Sequence, residues 1–521
     1  MQNISKKNYA VVARKSLIFL SAFVGILSLP AIKARADLEW SGMYRVEGDA
    51  IGDPQLDSRV AKDKNYGVQT LILRPKFVAA DGFYIYSQFN ILNSGVGGNN
   101  LGAIFGDGVG ANNGVPGSGI GDSSAISEYQ RSEVFAVTEL YMKMEQEFGD
   151  LIVGRIPLNF GLGLSYSDGS GLFDHYVDTR DAVAYKVNIG NLFIMPMFAK
   201  VYGGDLGNIY NNPVNSDLSG ADGIEEWDLQ AEYDDPDSDT SIGLFYQNRM
   251  ASPAGNDTPE YPVSISAQPN TVQPDRMDIK NVNVFYKKKS KNYSAGFEAG
   301  LQSGNFGVDN VDGTNVKLGG FGAVVEYSYT PQTSKWGFGV KAGLATGGDP
   351  RTDSQYEGFI FNQNYDVALL LFNQPLGQAD LLHTALIGRR DAVGNSGSGP
   401  SSDPSVDDDP DTEAISNVYY LSPSITRIFS DRWSGTATLT GAWLDNTTVT
   451  EGNPATNNLS YYNTSPDLGY ELDIMANYQI SKSIMWQNEV GVLLPGQAWT
   501  VGGQFKADMS YGLLSRAAVS F

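Results

Sequence analysis

The feature that most constrains this chain is a hydropathy pattern of period two. Across residues 38–49, Leu38, Trp40, Tyr44 and Val46 fall on one parity, and Glu39, Ser41, Arg45, Glu47 and Asp49 on the other. Successive side chains of a strand point to opposite faces, so such a segment has one apolar and one charged face. A helix would scatter both sets around its axis. The pattern returns in Thr138, Leu140, Met142 and Met144 against Glu139, Tyr141, Lys143 and Glu145, and more weakly in Val282, Val284 and Tyr286 against Asn281, Asn283 and Phe285. It closes the chain in Leu472, Ile474, Ala476 and Tyr478 against Glu471, Asp473, Met475 and Asn477, then in Ile484, Trp486, Asn488 and Val490 against Met485, Gln487 and Glu489.

The connections sort into two kinds that alternate. Short ones, rich in Gly, Asn, Asp and Ser, fall at 80–82, 148–150, 189–191, 234–240, 290–292, 330–335, 430–432 and 481–483; these residue types favour tight reversals. Long ones fall at 51–65, 93–132, 157–179, 203–224, 251–275, 304–314, 346–415, 445–467 and 495–509. A soluble sandwich has no reason to sort its loops, whereas a transmembrane barrel has short turns on one side and long loops on the other. The expected fold is therefore all-β: an antiparallel up-and-down transmembrane barrel of about 18 strands, with 16 compatible with shifted boundaries. Aromatics where strands leave the short turns (Phe83, Tyr84, Phe193, Tyr293, Trp336, Trp433, Trp486) predict a girdle at one membrane interface.

The N-terminus reads as a cleaved secretory signal. Lys6, Lys7, Arg14 and Lys15 precede an apolar run from Ser16 to Leu29, and Ala34-Arg35-Ala36 supplies small residues for cleavage. The run is too short for a helical span. The expected domains are residues 1–36, removed, and a single barrel of residues 37–521. The segment carries six basic residues and no acid, so its loss takes the net charge from −23 to −29. So acidic a chain is a poor nucleic-acid binder. It has no Cys, so no disulfide supports it. Its 28 Tyr, 24 Phe and 59 Gly, with no long apolar run after residue 36, suit strands that alternate lipid-facing and water-facing residues.

The last strand carries a resemblance. Phe521, Val519, Ala517, Ser515, Leu513 and Tyr511 alternate with polar or small residues, and this series resembles the terminal signature of Gram-negative outer-membrane β-barrels and porins, with Ser515 a polar departure. Residues 149–161 (Gly-Asp-Leu-Ile-Val-Gly-Arg-Ile-Pro-Leu-Asn-Phe-Gly) and 178–185 resemble the porin stretch of turn, Gly-Arg strand, loop and following strand. The resemblance implies an integral outer-membrane location, contact with outer-membrane lipid, small solutes as cargo, and recognition of Phe521, Val519 and Tyr511 by the barrel-assembly machinery. Porins are often trimers; strand counting assigns no oligomeric state.

With apolar faces outward, charged faces line the lumen. Candidates are Glu39, Arg45, Glu47, Arg74, Lys76, Glu139, Lys143, Glu145, Arg155, Lys186, Glu232, Lys341, Glu471 and Asp473. Rings of acid and base can orient a dipolar solute and tune ion selectivity; the same charges can also simply keep the lumen wet. The loop between Pro157 and Thr179 is rich in Gly and flanked by Arg155 and Arg180. One reading bends it into the lumen, with Arg155, Asp174, Asp178 and Arg180 at a constriction; the other leaves it on the surface. In loop 346–415, residues 359–361 and 367–372 are too apolar for exposed chain, and either contact the barrel mouth or lipid or form extra strands. The acidic segment 402–413 reads as a solvated external loop rather than a Ca²⁺ site, since it lacks an ordered ligand ladder.

Enzyme readings fare poorly. The chain holds only His175 and His383, lacks a G-x-S-x-G elbow, and has too few His and no Cys for most zinc sites. No catalytic residue, metal or cofactor is assigned. Alternation begins at Leu38, leaving no room for a plug domain. The expectation is a porin-like channel for passive diffusion of small hydrophilic solutes or ions. Two alternatives stay open: a substrate-specific channel for a sugar, polysaccharide or fatty acid, marked by aromatics along the lumen, and a structural or adhesion barrel with a plugged pore.

Overall fold

A computed structural model describes residues 37–59, 63–94, 103–104, 133–202, 224–251, 277–309, 315–351, 355–384, 413–453 and 458–521. The expected signal segment and acidic residues 402–412 lie outside them. Eighteen long strands, each antiparallel to its neighbours, form one sheet that closes on itself. They are β1 (Asp37–Gly52), β2 (Lys64–Ala80), β3 (Phe83–Ser94), β4 (Glu133–Gln146), β5 (Gly149–Pro157), β6 (Thr179–Ile189), β7 (Leu192–Tyr202), β8 (Ile224–Asp235) and β9 (Thr240–Ala251). The second half is β10 (Met277–Lys289), β11 (Tyr293–Asp309), β12 (Asn315–Tyr329), β13 (Trp336–Ala345), β14 (Val418–Ile428), β15 (Trp433–Leu444), β16 (Asp467–Ser481), β17 (Ile484–Pro495) and β18 (Ser510–Ser520). The short connections lie at one end and the long ones at the other, as the loop sorting predicts.

Closure follows from the solvent. Hydrocarbon offers no partner to an unpaired backbone edge, so a sheet that spans it must be seamless. The seam pairs β1 with β18 from Met43 opposite Ser520 to Gly52 opposite Tyr511. Phe521 extends it, exchanging backbone hydrogen bonds with Gly42 at 2.9 and 3.0 Å. A Cβ on Gly42 would lie 2.6 Å from the Phe521 ring, and one on Gly52 would lie 2.2 Å from that of Tyr511. Both end-signature aromatics thus lie over bare backbone on β1, which only Gly permits. The polar Ser515 is satisfied sideways: it accepts from Trp486 Nε1 at 3.1 Å and donates to Asn488 Oδ1 at 2.8 Å.

The outer surface is apolar: Trp40, Leu140, Leu229, Leu244, Leu301, Phe338, Leu421, Leu439, Ile474 and Leu513 are exposed on it. Charged and amide side chains on the opposite parity (Arg45, Glu47, Gln88, Glu226, Asn283, Glu298, Glu471, Asp473) are buried inside. This is the architecture of an integral outer-membrane barrel. Two details differ from the sequence reading. Thr138 sits in a bulge opposite the Gln88–Phe89 step and turns inward to Gln88 and Asn90, so β4 changes parity there. Tyr293, Trp336, Trp433 and Trp486 keep to the outer face, but Tyr84 and Phe193 point inward, over Lys76 and Lys186. Both follow from parity, which a strand-end position does not fix.

Candidate functional site: a lumen crossed by two loops

Loop A (residues 158–178) joins β5 to β6 and folds into the barrel. Leu158, Phe160 and Leu164 are buried, and Phe160 packs against the inward rings of Phe245 on β9 and Phe285 on β10, 5.7 and 4.9 Å away between centroids. Its backbone is held from the walls. Glu298 on β11 accepts from the N–H groups of Leu162 (2.5 Å) and Leu164 (3.2 Å), Asn283 on β10 accepts from Ser165 Oγ at 2.8 Å, and Gln230 on β8 donates to the Asn159 carbonyl at 3.2 Å. The far end of the loop reaches the seam. Arg45 on β1 donates to the carbonyls of Asp174 (2.7 Å) and Leu172 (3.4 Å), and the Arg516 guanidinium of β18 lies 4.2 Å from the Phe173 ring. Loop A therefore spans the lumen from β8–β11 to β18 and β1.

At the seam, Glu47 binds two partners through one oxygen: Arg45 Nε at 2.6 Å and His175 Nε2 at 2.8 Å. Burial pushes the His175 imidazole below its ordinary value, and the Glu47 carboxylate pulls against that.

Loop B joins β13 to β14, and its described residues (346–351, 355–384 and 413–417) also enter the barrel. Phe359, Phe361, Leu370, Leu371, Phe372, Leu376 and Leu381 are buried, in one cluster with Leu56, Leu164, Leu468, Leu493, Trp499 and Val501. Both apolar stretches noted in the sequence thus pack inside. Inward glycines make room: a Cβ on Gly322 would meet Phe359 at 2.4 Å, and one on Gly512 would meet Leu370 at 2.9 Å. The loops bind each other. Asn364 accepts from the N–H groups of His175 and Tyr176, both at 3.0 Å, and donates to the Tyr176 carbonyl at 2.7 Å. Asn362 donates to Asp178 at 2.7 Å.

The sequence-selected residues divide. Arg45 and Asp174 meet at the seam, Asp174 through its carbonyl. Asp178 and Arg180 lie at the other end of the loop, where Arg180 and Arg249 share the buried Glu226. Lys186 lies inward, 3.9 Å from the centre of the Phe193 ring, and Lys143 lies between Glu145 and Asp150, 3.1 Å from each. Glu139 lies inward on β4 across from Gln88, facing the charge of Arg74. Arg155 is a correction. It pairs across the sheet with Asp181 at 2.8 Å, on the parity opposite to the buried Ile156 and Ala182, so it faces outward and cannot narrow the lumen. Phe160, Glu298, Asn362 and Asn364 escaped the sequence reading; inward glycines such as Gly296, which touches Leu162, were the available signal.

Away from the loops, the wall β2–β4 keeps half-buried polar groups. Lys76 stands 3.0 Å from Glu39 and over the rings of Tyr84 and Tyr86, and Tyr86 stacks on Tyr141 with centroids 5.0 Å apart. Arg74 donates to Gln88 at 2.6 Å. Below the tip of loop A, a cavity of 560 Å³ is lined by Leu162, Ser241, Lys287, Gly296, Glu326 and Lys341, among others. Among the described residues no group of three or more His, Asp or Glu is arranged to hold a metal ion.

Several solved structures are similar to this chain in fold. The outer membrane protein OpdK of Pseudomonas aeruginosa is 10% identical, with 93% of this chain and 99% of that one covered and a TM-score of 0.43. OccK5 (OpdH) of the same organism is 8% identical over 93% and 98% of the two chains, with a TM-score of 0.44. OmpT, an outer membrane protein of Vibrio cholerae, is 8% identical over 94% and 100%, with a TM-score of 0.34. No family model matches the sequence, and no curated protein does.

Proposed function

We propose that residues 37–521 form a single-domain outer-membrane channel that passes small hydrophilic solutes or ions by diffusion, with no covalent step. The observation that carries this is the crossing of the lumen by loops A and B, which leaves a polar wall on β2–β4. Size is filtered by the narrowed passage, and charge by Arg74, Lys76, Glu139 and Lys143 along that wall. Arg45, Asp174, Asp178 and Arg180 act in this reading by holding loop A in place rather than by touching solute, and Lys186 tunes the field near the short-turn end.

A second reading is favoured by Tyr84, Tyr86 and Tyr141. Their rings line the lumen beside Lys76, an aromatic track on which an organic solute could slide, and so point to a substrate-selective channel. The test is conductance of the refolded mature chain in planar bilayers. Stable unitary steps support a channel, and no steps at any voltage defeat it. Block of the current by one solute class, lost in Tyr86→Ala, favours the selective reading; equal permeation by all small solutes removes it.

Assembly is part of the proposal. The barrel-assembly machinery would read the strand ending in Tyr511, Val519 and Phe521. Deleting Phe521 should lower the amount of protein in the outer membrane before it alters the conductance of what is inserted. Normal insertion of that variant counts against the reading. Several copies in one assembly, a homotrimer for instance, are compatible with this barrel.

A further inference from the structure

Loop B rests on a wall of carboxylates. Glu471 on β16 is fully buried and accepts from the N–H groups of Leu370 (2.6 Å) and Leu371 (2.7 Å). Asp473, the next inward residue on that strand, is 2% exposed; it faces Glu471 and the Leu369 N–H, and no donor meets either of its oxygens at full hydrogen-bond geometry. A Cβ on Gly491 would lie 2.6 Å from Asp473 Oδ1 and 3.1 Å from Glu471 Oε1, so these oxygens are within about 6 Å of one another, where two dry negative charges repel strongly. Glu489 on β17 is buried beside them, and Asp366 of loop B interacts electrostatically with both Asp473 and Glu489.

The cations facing this group are otherwise engaged. Arg516 of β18 bonds Gln487 and covers the Phe173 ring. Lys341 of β13 donates to the Asp366 carbonyl at 2.8 Å and lies 3.8 Å from Glu326.

Were loop B out of the lumen, water would solvate these acids. When it is seated, its apolar residues strip that water away, and an unpaired dry carboxylate is costly. A proton on Asp473 removes both difficulties: it cancels one charge and makes Asp473 a donor toward Glu471. We propose that seating of loop B takes up a proton, so that Glu471, Asp473, Glu489 and Asp366 form a latch which holds the loop in the lumen under acid conditions and releases it under alkaline ones. The latch regulates the passage of the proposed channel, and its electrical consequence rests on that reading.

The direct test is hydrogen exchange at the Leu370 and Leu371 amides of the full barrel in lipid, from about pH 5 to pH 9, corrected for the intrinsic rate. Protection should fall with rising pH, by up to about tenfold per pH unit for one proton. Asp473→Asn supplies a permanent neutral donor and should keep protection high and flat across the range. Glu489→Gln, which leaves the Glu471 bonds intact, should shift the same curve to higher pH and serves if the first variant folds poorly. Wild-type protection that ignores pH overturns the latch, as does an Asp473→Asn curve that keeps the wild-type slope. Restoration of acid-level protection at alkaline pH by Mg²⁺ alone also overturns it, because the group would then hold a cation. In bilayers, excursions to higher conductance should become more frequent as pH rises. A silent barrel with pH-dependent protection would refute the channel and leave the latch standing.

Discussion

Loops A and B occupy the same lumen and are held by different balances of the same forces. Loop A is tied by hydrogen bonds from wall side chains to its backbone, with Phe160 as its aromatic anchor. Loop B is held chiefly by apolar burial, with Phe359, Phe361, Leu370, Leu371 and Phe372 in one continuous cluster, and wall side chains bond it at Tyr365, Asp366, Leu370 and Leu371. Burial is roughly proportional to apolar area and tolerant of small shifts, whereas a hydrogen bond is directional and costly to leave unmade. Loop A is thus positioned, and loop B is packed. A device that sets the shape of a passage needs the first; one that fills space and can leave as a unit needs the second.

The sharpest way to break that distinction is Phe361→Ala. The ring is 2% exposed, between Phe359 and Tyr365. Its loss should cost about 3–5 kcal/mol of loop B seating, through lost transfer energy and a cavity. The measurement is exchange across residues 359–372, with residues 158–166 as the internal control. If loop A loosens as much as loop B, the two are one cooperative unit and the distinction falls.

Asn364→Ala probes the hinge between the loops. Its carboxamide bonds His175, Tyr176 and Ser167 and holds loop A against loop B. At about 0.5–1.5 kcal/mol for each bond, partly replaced by water, the coupling lost should be about 2–4 kcal/mol. A double-mutant cycle of Asn364→Ala with Phe361→Ala, read by thermal unfolding of the barrel in detergent, measures it. Additive effects would mean that the loops seat independently.

The pH response of loop A should run opposite to that of loop B. His175 is held below its ordinary value by burial, so seating favours its neutral form. A group with a lowered folded value contributes stability above its unfolded value and loses it as pH falls toward the folded one. Loop A should therefore loosen below about pH 6.5, by up to about tenfold per pH unit. Exchange at residues 172–176 checks this, and His175→Gln should abolish it. A response of the same sign as that of loop B would show that the Glu47 pairing outweighs burial.

The barrel itself was legible in the sequence because its signals are local and repeated. A parity error in one strand, as at Thr138, is corrected by the next turn, and the loop sorting survives boundaries shifted by a residue or two. The lumen was less legible because its contacts join residues more than a hundred positions apart, as Glu298 joins Leu162 or Glu471 joins Leu370. Arg155 shows the limit most clearly. Its neighbours along the chain suit a constriction, but facing in or out depends on a parity that Gly154, at φ 129, and the pairing with Asp181 set together. Inward glycines carried information the sequence reading left unused, since a strand that gives up a lumen side chain there makes room for something to lie on it.

The smallest expected effect falls on a single side-chain bond of loop A. Ser165 Oγ donates to Asn283 Oδ1 at 2.8 Å, while Asn283 Nδ2 has no partner. Ser165→Ala removes one donor and leaves the backbone ties of Leu162 and Leu164 to Glu298 intact. The cost should be near the low end for one hydrogen bond, about 0.5–1 kcal/mol, confined to residues 162–168 in exchange and invisible in the Leu370 and Leu371 amides. That locality is what a positioned loop requires, because each bond fixes its own stretch of backbone. If so slight a change also loosens loop B, the polar ties of loop A must set the seat on which loop B packs, and the two modes of holding would be ordered in sequence rather than independent.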